Sequence, residues 1–280
     1  MTRKDFEILI DARPDIIWFC LWDLYHYRIW TGTFCEGSYA VTDNWEEGTR
    51  VHFLTPEGKG MYSDISLHLP EQAMIFTHQG IIENFREIPG ATSWTGAREQ
   101  YSLKDSDNQI RLHVQLDLDE NHLAYFEQVF PPALQRIKEL AENPVITISE
   151  EINKSPQLVW KWFTQPEHII HWNAASDDWG TVAAQVDLQE GGRFCYRMEA
   201  LDQSAGFEFC GTFTRIIPNV AIHYKIDDGR TVEILFTETT SGTSITQRFQ
   251  PEHINDPFLQ RDGWQQILKR FHTYTESATA

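Results

Sequence analysis

Residues 10–30 and 152–172 align without a gap, pairing Ile10 with Ile152, Pro14 with Pro156, Trp18 with Trp160, His26 with His168 and Trp30 with Trp172. Farther along, Glu47-Gly48 and Arg50 correspond to Glu190-Gly191 and Arg193, and Leu69-Pro70 before Met74-Ile75-Phe76 corresponds to Ile217-Pro218 before Ala221-Ile222-His223. Repeats of roughly 20 to 50 residues stack into solenoids because one unit cannot bury its own apolar face. A repeat of well over a hundred residues is a domain with a core of its own. The chain is therefore predicted to be two diverged copies of one domain, residues 1–144 and 145–280, each of a size that folds alone. The junction falls at Glu142-Asn143-Pro144, where proline cannot continue the preceding helical stretch.

Within the second copy, Val145 to Ile152 alternates as a strand, and Ser155-Pro156 offers an N-cap and a first-turn proline for a helix. Thr164 to Trp172 reads as a second short helix. Six alternating runs follow, around Thr181–Asp187, Arg193–Ala200, Phe207–Ile217, Val220–Ile226, Thr231–Thr237 and Thr243–Phe249. They are separated by turn residues such as Gly191-Gly192, Pro218-Asn219, Asp228-Gly229 and Ser241-Gly242, which implies an antiparallel meander. Asp256 to Thr275 then spaces Phe258, Trp264, Ile267, Leu268 and Phe271 as a helix does. The first copy repeats the order and ends in a helix over His122 to Leu140, which Pro131-Pro132 is expected to kink or interrupt.

Strand, two helices, sequential strands and a long final helix, together with particular residues, resemble the SRPBCC superfamily of START-like and Bet v-like proteins. The residues are Ser155-Pro156 with Val159-Trp160, His171-Trp172, Glu190-Gly191-Gly192-Arg193-Phe194, Gly211-Thr212-Phe213 leading to Ile217-Pro218, and Asp262-Gly263-Trp264 with Leu268. They are most similar to the branch homologous to the C-terminal domain of the heat-shock-protein-90 ATPase activator. The first copy carries the resemblance through Pro14, Trp18, Trp30, Glu47-Gly48 and Pro70. The resemblance implies an α+β fold of two tandem helix-grip domains, each a curved antiparallel sheet (β-α-α-β6-α) wrapped around its long C-terminal helix.

The fold so implied leaves a cavity between sheet and helix, the place to expect a ligand. Its apolar wall in the second copy is expected from Trp172, Phe194, Tyr196, Tyr224, Trp264 and Phe271, and in the first from Trp30. Polar strand residues are candidates for the same lining: His78, Glu99 and His113 in the first copy, Arg197, Glu208, His223 and Gln247 in the second. Strand alternation places many polar residues on the solvent face regardless. Exposed rings at the cavity mouth account equally for the recurrence of Trp30 and Trp172. Divergence after duplication predicts that at most one copy keeps an open cavity.

Catalytic signatures are missing from the sequence: there is no Gly-x-Ser-x-Gly elbow, no His-Glu-x-x-His and no phosphate loop before a helix, and Gly58-Lys59-Gly60 reads as a turn. His168 and His171 stand three apart on one helix, but two ligands do not make a metal site. Cys20, Cys35, Cys195 and Cys210 lack paired spacing and adjoin aromatic residues, so they read as buried free thiols. No metal and no cofactor is expected. The 41 acidic residues outnumber the 23 basic ones, with 12 basic and 23 acidic before Val145 and 11 and 18 from there on. A net charge of −18 disfavours nucleic acid and anionic membrane surfaces as partners. The absence of a leader or membrane-length apolar run makes a cytoplasmic location the expectation.

The reading that results is a non-catalytic binding protein whose hydrophobic pocket takes a small apolar or amphipathic ligand, or a module that docks a protein partner. Two alternatives stand beside it. One is a co-chaperone-like activator of a heat-shock chaperone ATPase. The other is a cyclase- or hydratase-type enzyme in which a carboxyl group held in an apolar pocket does acid-base work.

Overall fold

Pro14 and Pro156 open corresponding helices, α1 (Pro14–Trp22) and α4 (Pro156–Thr164), at the one position where a missing N–H and a fixed φ cost nothing. Ser155 sits at the N-cap of α4, but its hydroxyl makes no capping bond. The computed structural model describes residues 1–278, and the chain divides into two compact units, Met1–Pro144 and Val145–Ala280.

The first unit runs β1 (Thr2–Ile10), α1, α2 (Leu24–Thr31), β2 (Tyr39–Val41), β3 (Arg50–Leu54), β4 (Gly60–Leu69), β5 (Ala73–Glu83), β6 (Arg86–Glu87), β7 (Arg98–Ser106), β8 (Gln109–Leu118) and α3 (Leu123–Glu142). Its strands form one antiparallel sheet in the order β1-β8-β7-β5-β4-β3-β2, with the two-residue β6 hung on β5. The second unit runs β9 (Ile146–Ile152), α4, α5 (Pro166–Trp172), β10 (Trp179–Val186), β11 (Arg193–Ala200), β12 (Gly206–Ile217), β13 (Ala221–Ile226), β14 (Thr231–Thr239), β15 (Gly242–Phe249) and α6 (Pro257–Ser277). Its sheet order is β10-β11-β12-β13-β14-β15-β9. Each unit is thus an α+β fold in which a curved antiparallel meander, closed by its first strand, holds its own long C-terminal helix.

Both cores are built on aromatic side chains that alternation sends inward. In the first unit Trp22, Trp30, Phe76, Tyr101 and Phe130 are fully buried, and Tyr101 meets Trp22 edge to face at 5.0 Å between centroids. In the second, Phe271 of α6 lies 4.9 Å from Trp172 and 5.2 Å from Phe163. The recurring tryptophans are pinned in the same way: Trp30 Nε1 donates to the Leu21 carbonyl at 3.2 Å, and Trp172 Nε1 to that of Trp162 at 3.1 Å. Both are buried, so they are not exposed rings at a mouth, and the indole N–H explains the residue type because it answers a carbonyl left over at the end of the preceding helix.

Gly211 has a packing reason of its own. A Cβ there would lie 2.5 Å from the Lys225 carbonyl oxygen and 2.8 Å from the Phe194 ring, so glycine lets that ring lie flat on the strand.

Two local expectations are overturned. The interruption expected in helix α3 is absent, for it runs continuously through Pro131 and Pro132: apolar burial of Phe130, Ala133, Leu134 and Ile137 outweighs the two lost backbone donors. The cysteines are not all buried thiols. Cys20 is buried and Cys35 exposed, while Cys195 and Cys210 are directly opposed on β11 and β12 and joined as a disulfide. Sequence spacing could not reveal this pair because strand register, set by the intervening hairpin, decides which residues face each other.

Candidate functional site

Each unit keeps a cavity between sheet and final helix. The first has a volume of about 460 Å³ and the second about 510 Å³, both within the range of small-molecule sites. The expectation that at most one copy stays open therefore fails. Aromatic rings pack along the walls, as Phe194 does with Phe213 and Tyr224, and Trp264 of α6 joins helix to sheet through Phe209 and Phe249.

In the first cavity the walls are Trp22, Tyr27, Trp30, Phe76 and Tyr101, with Phe130 from α3. One polar cluster on the strands interrupts them. Glu99 on β7 stands between Phe76 of β5 and Leu116 of β8, its cross-strand neighbours. The Tyr101 hydroxyl, two residues along and so on the same face, donates to Glu99 Oε1 at 2.5 Å. Glu99 Oε2 lies 3.5 Å from His78 Nε2, and His78 Nδ1 lies 2.7 Å from the Ser63 hydroxyl, which is fully buried on β4. The imidazole thus bridges the Ser63 hydroxyl at Nδ1 and the Glu99 carboxyl group at Nε2, and the tautomer sets which ring nitrogen donates.

Burial dominates the electrostatics here. It pushes the Glu99 carboxyl up to about 7, against the opposing pull of the Tyr101 hydrogen bond. It drives His78 down to about 4, with the Asp117 carboxylate acting weakly in the other direction. Near neutrality His78 is uncharged and Glu99 is poised between its two forms. No lysine or arginine pairs with Glu99 among the described residues.

The second cavity is lined by Trp172, Phe194, Tyr196, Tyr224 and Trp264, with Gln247 as the polar residue facing in from β15. Burial alone holds the Tyr196 phenol well above its ordinary range, and Tyr224 is held up chiefly by burial as well. No histidine lines it among the described residues, and Glu252 and Arg230 belong to the loop and strand ends. The two cavities are alike in size and apolar character and differ in the buried acid-base group.

Of the sequence candidates, the structure puts Trp30, His78 and Glu99 on the first wall and Trp172, Phe194, Tyr196, Tyr224, Gln247 and Trp264 on the second. The others lie elsewhere. His113 pairs with Asp5 at 2.8 Å on the outward side of β8. Arg197 pairs with Glu199 at 2.8 Å, Glu208 is exposed beside the disulfide, and His223 lies 3.7 Å from Glu233. Phe271 is wholly buried behind Trp172 and does not reach the cavity. In each strand case the period-two rule decides the face, and composition cannot say which parity points in. Tyr101 and Ser63 escape a reading of the sequence because an isolated tyrosine or serine in a strand looks like packing.

The two histidines of α5 part company: His168 Nδ1 lies 2.6 Å from the Tyr274 hydroxyl, and His171 stacks on the same ring. Their use by Tyr274 speaks against a shared metal. Cys195, Cys210 and Glu208 have ligand atoms within 4.8 Å of one another, but the two sulfurs are consumed by the disulfide. No helix among the described residues is long and apolar enough to cross a membrane.

Residues 153–276 match the sequence profile of the family described as activator of Hsp90 ATPase homolog 1-like protein. The chain is similar to the solved AHSA1-like protein from Aeromonas hydrophila, at 42% identity over 48% of this chain and 92% of that one, with a TM-score of 0.46. It is similar also to Chr148 from Cytophaga hutchinsonii, at 42% identity over 47% and 92% of the two chains, TM-score 0.43. Protein NE0264 from Nitrosomonas europaea is 20% identical over 48% and 94%, TM-score 0.43. No curated relative matches the chain.

Proposed function

Because the chain belongs, through residues 153–276, to the activator of Hsp90 ATPase homolog 1-like family, we propose that it is a binding protein made by duplication of one such domain, holding a small apolar or amphipathic molecule in each unit. The observation that carries this reading is the pair of aromatic-walled cavities of about 460 and 510 Å³, each between a curved sheet and its helix. A space of that size lined by apolar surface is costly to leave to water, and filling it removes apolar area from solvent at roughly 25 cal/mol per Å².

Native mass spectrometry of protein purified from its own host tests the proposal. A retained mass of a few hundred daltons that leaves on unfolding supports it. Protein that emerges empty and also fails to bind any uncharged amphiphile in calorimetry refutes it.

A further inference from the structure

We infer that the first unit's cavity selects ligands carrying a protonated amine, seated with the ammonium against Glu99 inside a box of aromatic rings, whereas the second unit's cavity takes uncharged ones. This rests on the proposal that the cavities are ligand sites and adds the class of ligand for one of them.

A carboxylate in an apolar wall is costly unless a partner offsets its lost hydration. Glu99 has only neutral partners: the Tyr101 hydroxyl at 2.5 Å and the His78 ring at 3.5 Å. Arg98 borders the same cavity but is exposed and occupies the adjacent strand position, whose side chain alternates to the opposite face. A cation entering the cavity supplies the missing charge.

The surroundings suit an organic cation better than a metal ion. Trp22, Tyr27, Trp30, Phe76 and Tyr101 line the same cavity as Glu99, and aromatic rings attract an ammonium over their faces while accepting its hydrocarbon part. Among the described residues Glu99 belongs to no group of three or more ligand atoms close enough to hold a metal ion, and one carboxylate is too few oxygen ligands for a hard divalent cation. Asp117 and Asp119, which also border the cavity, are taken up by Arg3 and His122, but the unit as a whole has 23 acidic against 12 basic side chains, a field that draws cations. In the second unit the strand group on the wall is the neutral Gln247, and the charged lining residues are engaged elsewhere, Arg230 with Asp228 and Glu252 with the N–H groups of Ile254 and Asn255.

The test is calorimetry at pH 8 on the full chain with 4-phenylbutylamine, 4-phenylbutanol and 4-phenylbutyrate, which share one apolar body. The second cavity is first occupied by Gly263→Trp. Gly263 lines it, and a Cβ there meets no atom within 4 Å. The amine is expected to bind at least tenfold tighter than the alcohol, and the carboxylate weakest. Glu99→Gln should bring amine and alcohol within threefold, with the fold checked by circular dichroism. Amine and alcohol binding equally to the chain with Glu99 intact would overturn the inference and leave the cavity proposal standing. The same holds for a preference that survives Glu99→Gln. Failure of all three ligands to bind, with and without Gly263→Trp, would remove the cavity proposal itself and this inference with it.

Discussion

Replacing Glu99 by glutamine should stabilise the first unit at alkaline pH and leave it unchanged in acid. In the folded chain burial raises this carboxyl from its ordinary 4.5 to about 7. Below about pH 4.5 the group is protonated whether folded or not, so nothing is lost. Between there and about pH 7 the unfolded chain releases a proton that the folded chain keeps, and stability falls as pH rises. Each tenfold rise in proton affinity on folding corresponds to about 1.4 kcal/mol, so the loss amounts to about 3 kcal/mol and is complete above pH 7. Water in the cavity lowers this, so about 2 to 3 kcal/mol is expected at pH 8.

His78 has the opposite sign. Its folded value is depressed from 6.5 to about 4, so its share of stability is present above 6.5 and lost as pH falls toward 4. In the parent chain the two slopes oppose one another between pH 4.5 and 6.5 and flatten the profile. Glutamine keeps the acceptor for the Tyr101 hydroxyl and removes only the titration, exposing the histidine slope. Urea denaturation followed by hydrogen-exchange mass spectrometry on peptides from 98–118 reads this unit alone. A Glu99→Gln difference that is the same at pH 4 and pH 8, or a parent chain more stable than the variant at pH 8, would refute the reasoning.

Gly211→Ala puts a methyl group 2.5 Å from the Lys225 carbonyl oxygen and should cost the second unit about 1 to 3 kcal/mol, seen as a lower thermal midpoint. Trp30→Phe and Trp172→Phe each leave a buried carbonyl without its indole donor, and each should destabilise its own unit by about 1 to 3 kcal/mol in urea titrations read by hydrogen exchange. Under non-reducing conditions iodoacetamide should label Cys35 in the folded chain, add only Cys20 on unfolding, and reach Cys195 and Cys210 after reduction alone, as peptide mass mapping will show. With a sequence separation of 15, reduction should cost the second unit about 3 kcal/mol by chain entropy.

Local order is written into the chain. Pro14 and Pro156 start helices because their chemistry fits a first turn, and alternation from Arg193 to Ala200 gives a strand because one face must be buried. Where one long element carried a strong pattern, burial of that pattern also overruled a local breaker, as in α3 across Pro131-Pro132. The gap-free match of residues 10–30 with 152–172 pointed to two units, and the chain divides between Pro144 and Val145, the first unit carrying a short extra strand, β6.

What the chain does with those elements was settled by register and curvature, which are properties of strand pairs. Glu99 and His113 look equivalent in sequence, yet one faces the cavity and the other pairs with Asp5 outside, because a strand shows each face to alternate residues and sequence does not mark which is inner. Cys195 meets Cys210 for the same reason. The row from Ser63 through His78 to Glu99 and Tyr101 draws on three strands, and its altered acidity arises only when folding brings these side chains together in largely apolar surroundings.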